Sequence, residues 1–171
     1  MKETSASPPV SIDHQLELRR VFGRFPSGVV ALAAAIDDNP VGMAASSFTS
    51  VSLDPPLVAV CIARNSTRWP VLRRAKEVGI SALAAEHFRE GRQLASKDGD
   101  RFQGIPWTCI GEYAIWIDGA AATITSRVVE EIPAGDHLVV LLSVEAVEAR
   151  LDVEPLVFHG STFRLLQSMT R

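Results

Sequence analysis

The clearest pattern along the chain is a series of short apolar runs bounded by turn residues. Val29 to Ile36 is apolar at every position, with Ser27-Gly28 before it and Asp37-Asp38-Asn39-Pro40 after it. Its alanines suit a helix, but its length and its flanking turns predict a buried strand. Similar runs predict strands at Val41–Ser46, Leu57–Ala63 and Val78–Leu83. Further strand regions follow at Tyr113–Ile117, Ala120–Glu130 and His137–Ala149, and Phe158 to Leu166 predicts a closing hairpin around His159-Gly160-Ser161.

Helical signals are fewer. Leu18, Val21, Phe22 and Phe25 recur at helical spacing and make one apolar face, on a helix capped by Ser11 or Asp13 and ending near Arg24. Arg64-Asn65-Ser66-Thr67 reads as a turn into a short helix reaching about Ala75. With Thr67 as its N-cap, Pro70 takes the third helical position, where a missing N–H costs nothing. Another helix is expected from about Glu86 to Ser96, followed by the charged loop Lys97-Asp98-Gly99-Asp100. Residues 1–12 are predicted to be a disordered tail, its first ten residues rich in Ser and Pro, and residues 13–171 a single domain without internal repeats. Strands and helices do not alternate regularly. A mainly β, closed-barrel fold with a few flanking helices is therefore favoured over a doubly wound parallel sheet.

Composition narrows the function classes. At 171 residues the chain is long enough for one domain with a real core. Seventeen basic against twenty acidic residues give a net charge of −3, which argues against nucleic acid and anionic membrane as partners. No apolar stretch is long enough to span a bilayer and the N-terminus has no signal core, so a reducing cytoplasm is the expected location. The two cysteines, Cys61 and Cys109, form no C-x-x-C, and the four histidines show no ligand spacing, so no metal site is expected. Cys61 lies within L-V-A-V-C-I-A and is expected to point into the core. There is no nucleophile elbow, dinucleotide fingerprint or phosphate loop, so any use of NADH would proceed without a Rossmann domain.

The segment richest in candidate chemistry is Gly42 to Pro56, G-M-A-A-S-S-F-T-S-V-S-L-D-P-P. Small side chains let a flat ligand approach the backbone, while hydroxyls and N–H groups meet its polar edge. The same composition also fits a strand, a Ser/Thr loop and a Pro-terminated turn with no ligand at all. Free N–H groups at the Asn65-Ser66-Thr67 turn, with Arg64 beside them, would suit an anion, or simply cap the helix.

Six short matches occur in order. Phe25-Pro26-Ser27-Gly28-Val29 resembles F-P-[TS]-G-V, and Gly42 to Pro56 resembles G-x-x-x-S-S-F-x-S-V-S-x-x-P-P. Asn65-Ser66-Thr67, Asp100-Arg101-Phe102, Gly135-Asp136-His137 and Pro155-Leu156-Val157-Phe158 complete the series. Together they resemble the flavin reductase family, the small components of two-component flavin-dependent monooxygenases, over about residues 15–166. The resemblance implies a split β-barrel of the FMN-binding type, Greek-key-like. It implies a homodimer that binds FMN or FAD and takes hydride from NADH or NADPH. Reduced flavin would pass to a separate monooxygenase.

Carried over by position, the resemblance places Met43, Ala44, Ala45, Ser46 and Ser47 along the flavin, with Ser46 and Ser47 as hydroxyl donors. Ser50, Val51 and Ser52 would follow the ribityl chain or ring edge, and Ala63, Arg64, Asn65, Ser66 and Thr67 the phosphate end. Lys97 would face the flavin phosphate or else be a solvated surface lysine, and Phe102 would cover the ring or serve as core. His137 would stand on the nicotinamide side, or else be a strand-start histidine satisfied by Asp136. Leu142 and the region of Thr125 depart from the family pattern and read as packing differences. The rivals within this reading are a split-barrel oxidase that keeps its flavin, akin to pyridoxamine-phosphate oxidase, and a non-enzymatic flavin or haem binder.

Overall fold

The computed structural model describes residues 12–167 and 169. The Ser11 cap and residues 1–11 of the expected tail lie outside them, and Ile12 already begins the first helix, α1 (Ile12–Phe22). The chain then runs through β1 (Ser27–Gly28), β2 (Val30–Ile36), β3 (Asn39–Ala45), β4 (Thr49–Leu53) and β5 (Pro56–Ala63). A short helix α2 (Trp69–Leu72) leads to β6 (Val78–Ala82), a 3-10 turn (Ala85–His87) and α3 (Phe88–Ala95). The remaining strands are β7 (Trp107–Ile110), β8 (Ala114–Ile117), β9 (Ala122–Ala134), β10 (His137–Ala149), β11 (Val157–His159) and β12 (Thr162–Arg164).

Nine strands form one antiparallel sheet in the order β4-β5-β10-β9-β6-β2-β8-β7, with β3 paired to β2. The split is visible at β2. Its whole length pairs with β3, while its other edge is shared by β6 over Val30–Ala33 and by β8 at Ala34. Where β6 and β8 part, their backbones nearly touch. A Cβ on Gly79 would sit 2.0 Å from the Ile115 carbonyl oxygen, so only glycine fits there. A small sheet β1-β11-β12 closes the N-terminal side.

The unbroken apolar run of β2 follows from burial on both faces. Val30, Leu32 and Ala34 enter the barrel interior with Val58, Val60, Ile62, Val140 and Leu142, and Trp69 and Leu72 of α2 pack into the same core. Val29, Ala31 and Ala33 face a second core with Leu94 of α3, Phe102 and Ile115.

Several local expectations change. β4 forms where a Ser/Thr loop was expected, because the edge of β5 pairs with it. Cys61 is exposed, not in the core: its neighbours Val60 and Ile62 take the inward positions of the alternating strand. No residue of α1 is buried; Phe22 and Phe25 remain 63% and 72% exposed, so the expected apolar face is present but does not pack on this chain's core. In α2 the N-cap is Arg68 rather than Thr67, Pro70 falls in the first two helical positions, and the Ser66 hydroxyl accepts the Trp69 N–H at 3.2 Å. None of the helices among the described residues is long and apolar enough to cross a membrane.

Candidate active site

Small residues open a slot on one side of β3. Ala44, Ala45 and Ser46 face Gly91 and Ala95 of α3 and the rings of Phe158 and Phe163, around an apolar crevice of about 140 Å³. The two rings meet edge to face, with centroids 5.6 Å apart. Ser46 also borders a wider cleft of about 460 Å³ that runs past Phe22, Phe25 and His159. Met43 and Ala45 pack partly against the barrel core, and Ala44 against the second core.

A polar turn lies where β5 ends and β10 begins. The β5–β10 register sets Ala63 opposite His137, and the Arg64 N–H donates to the Asp136 carbonyl at 2.9 Å. The 64–67 loop and the Gly135-Asp136-His137 turn are thereby held side by side. In that loop the Ser66 N–H returns to the Ala63 carbonyl. The N–H groups of Asn65, Thr67 and Arg68 find no acceptor among the described residues and are available to an anion. His137 Nδ1 lies 2.8 Å from Asp136 Oδ1. A carboxylate only accepts, so Nδ1 carries the proton and Nε2 is left for a ligand. That hydrogen bond is the main reason the Asp136 carboxyl titrates below its ordinary value, with the histidine's charge second.

The expected residues do not all converge. Ser47 Oγ accepts the Cys61 N–H at 2.9 Å and donates to the Cys61 carbonyl at 3.0 Å, so its proton is committed to the fold. That leaves Ser46, which is exposed, as the hydroxyl donor of the pair. Ser50, Val51 and Ser52 sit on β4, where the pairing slips between Ser50 and Ser52. Ser52 lies opposite Leu57, about 20 Å along β5 from Ala63, and its hydroxyl accepts the Asp54 N–H at 3.2 Å. These three, which the resemblance assigns to the ribityl chain or ring edge, thus stand along β5 before the 64–67 loop. Phe102 is a core residue and no ring cover: it is 6% exposed, and a Cβ on Gly42 would come within 2.9 Å of its ring. Lys97 is exposed and has no ion-pair partner among the described residues.

Sequence reasoning gave no site role to Phe158, Phe163, Arg68 or Arg101. Phe158 and Arg101 stand inside quoted motifs, which was the available signal. Arg101 donates to the Gly42 carbonyl at 3.4 Å, and burial first, then the Arg68 charge, hold its guanidinium below the usual pKa. Among the described residues no group of three His, Cys, Asp or Glu side chains is placed to hold a metal. An apolar crevice of small and aromatic side chains can seat a planar ring, and the Ser47–Cys61 bridge ties the end of β3 to the strand that leads into the loop of free N–H groups, which suits an anionic tail.

The flavin reductase like domain model matches residues 22–167. The chain is 37% identical to the actinorhodin polyketide dimerase of Streptomyces coelicolor, over 88% of this chain and 86% of that protein. It is 34% identical to the reductase component of 4-hydroxyphenylacetate 3-monooxygenase from Thermus thermophilus, covering 86% and 94%. Among solved structures, the NADH:FAD oxidoreductase SgcE6 of Streptomyces globisporus, held with NAD and FAD fragments, superposes with a TM-score of 0.85 at 32% identity, covering 94% and 98%. A match over nearly the whole folded chain, with the same split barrel beneath it, places this chain in the flavin reductase-like family.

Proposed function

We propose that the chain is an NAD(P)H:flavin oxidoreductase that reduces FMN or FAD and releases the reduced flavin to a separate monooxygenase. The observation that carries this reading is the Ser47–Cys61 bridge, which ties the chain just after the Ala44–Ser46 crevice to β5, two residues before Ala63 and its partner His137. When both nucleotides are bound, hydride passes from the nicotinamide C4 to the flavin N5 with uptake of one proton by the flavin, leaving NAD(P)⁺ and dihydroflavin. The protein's part is alignment. The crevice fixes the plane of the ring, the free N–H groups of the loop fix its anionic tail, and His137 Nε2 meets the nicotinamide amide or a flavin oxygen. No nucleophile or general base is required, in keeping with a site built of small residues, aromatics and backbone.

We further propose a homodimer. The uncovered apolar side chains of α1, together with Phe25, are a surface that a second copy would shield. The deciding experiment is anaerobic stopped-flow mixing with each nicotinamide and each flavin, on protein whose mass is measured by light scattering. Turnover of at least one pair by a dimer is expected. Flavin retained through gel filtration without NAD(P)H oxidation would favour the oxidase or binding-protein alternatives, and a fully active monomer would refute the dimer.

A further inference from the structure

Glu131 is a carboxylate in a row of valines. In the β5–β10–β9 register it pairs with Val140, which pairs in turn with Val60, and side chains paired in this way share one face of the sheet. Val60 and Val140 are fully buried in the barrel core, and the Glu131 side chain is 15% exposed at the end of their row. A carboxylate loses hydration there, and an apolar side chain would complete the row without that loss. Both of its oxygens are engaged with α2. Oε1 accepts the Trp69 indole N–H at 2.8 Å, and Oε2 pairs with Arg73 Nη1 at 2.9 Å. Trp69 opens the helix and Arg73 caps its end, so one carboxylate holds both ends.

That grip bears on the loop before the helix. Four residues make too short a helix to hold its own place. Burial of Trp69 and Leu72 keeps it on the barrel, but apolar contact is non-directional. Among the described residues, no other side chain of 69–73 makes a hydrogen bond or ion pair, so the bonds to Glu131 fix the helix's rotation. The Trp69 N–H donates to the Ser66 hydroxyl at 3.2 Å, which passes that placement to the loop. At the loop's other end the Arg64 N–H donates to the Asp136 carbonyl at 2.9 Å. Glu131 and Asp136 both belong to the β9–β10 hairpin, and His137 follows directly. Residues 64–68 are therefore held between two points of the hairpin that carries His137.

We propose that Glu131 is a positioning residue for flavin reduction. Through the Trp69 indole and Arg73 it sets the place of the 64–68 backbone relative to His137, so that the loop is ordered before a ligand arrives. It touches neither nucleotide. The inference rests on the flavin reading of the site.

The test compares wild type with Glu131→Ala, Glu131→Gln and Arg73→Ala, by 15N relaxation of the ligand-free chain and by steady-state NADH oxidation well below each Tm. Order parameters at Asn65, Thr67 and Arg68 should be about 0.85 in the wild type and fall below about 0.6 in Glu131→Ala. The flavin KM of that variant should rise about 5- to 20-fold, because its loop is ordered only on binding, while the NADH KM stays within about twofold. Glu131→Gln keeps an acceptor for the indole N–H and should stay within about threefold of wild type. Arg73 is half exposed and outside the core, so Arg73→Ala should fold and raise the flavin KM about two- to fourfold. Unchanged loop order or flavin KM in Glu131→Ala, equal rises for flavin and NADH, or Glu131→Gln as impaired as Glu131→Ala would each overturn the proposal. If Glu131→Ala does not fold, wild-type loop order and flavin KM in Arg73→Ala would overturn it. If the wild type turns over no flavin at all, the flavin reading falls separately, and the order parameters still decide whether Glu131 holds the loop.

Discussion

Ser46 and Ser47 are neighbours of the same chemistry, and the structure sends them to opposite tasks, which makes the pair a sharp test of the site. Ser47 Oγ bridges the N–H and carbonyl of Cys61 at 2.9 and 3.0 Å, tying the β3–β4 connection to the edge of β5. Ser47→Ala removes both bonds. At about 0.5–1.5 kcal/mol of net stabilisation each, the loss is about 1–3 kcal/mol, toward the lower end because Cys61 is exposed and water can replace the hydroxyl. For a domain of this size about 2–4 °C of Tm accompanies each kcal/mol, so the melting point should fall by about 2–8 °C. Ser46 is exposed and lines the crevice with Ala44 and Phe158. Ser46→Ala should change stability by no more than about 0.5 kcal/mol. If its hydroxyl meets the flavin, its loss should raise the flavin KM by about 2- to 10-fold, with kcat spared once flavin saturates. Calorimetry and steady-state kinetics on the same preparations read both effects. An unchanged Tm in Ser47→Ala, or a destabilised Ser46→Ala with wild-type flavin KM, would refute the assignment of these two hydroxyls.

Other consequences can be checked as directly. Gly79→Ala places a methyl 2.0 Å from the Ile115 carbonyl oxygen at the split of the barrel; it should cost about 3 kcal/mol or more and sharply reduce soluble yield, and a variant with wild-type Tm would contradict the close approach. His137→Ala should raise the KM for NADH by up to about tenfold and leave the flavin KM unchanged, whereas a lowered Tm with wild-type constants would remove His137 from the site. The Asp136 carboxyl is depressed mainly by its hydrogen bond from His137, so the stability it contributes is complete above the unfolded carboxylate pKa of about 4 and is lost as pH falls through the lower folded value. An NMR titration of Asp136 should show this depression in the wild type and its relief in His137→Ala; equal values in both would dismiss the pair.

What could be read from sequence depended on how far away each residue's partner lies. The pattern of β2 was legible because burial on both faces leaves every position apolar, and β10 because its bounds are marked by the Gly135-Asp136 turn and the polar residues after Ala149. In β5 the same kind of run misled, since an unbroken apolar stretch does not say which parity faces out, and Cys61 fell on the outer one. β4 was hidden because Thr49-Ser50-Val51-Ser52 has little strand pattern of its own and takes its form from the edge of β5. The site divides in the same way. The motifs nominated Ala44–Ser46, the 64–67 loop and His137, because each is a local turn or a stretch of small residues. They could not separate Ser46 from Ser47, whose roles turn on a bond to Cys61 fourteen residues later. Local chemistry therefore marks where a ligand can sit. Which side chains remain free to bind it is decided by tertiary hydrogen bonds that have already claimed the others.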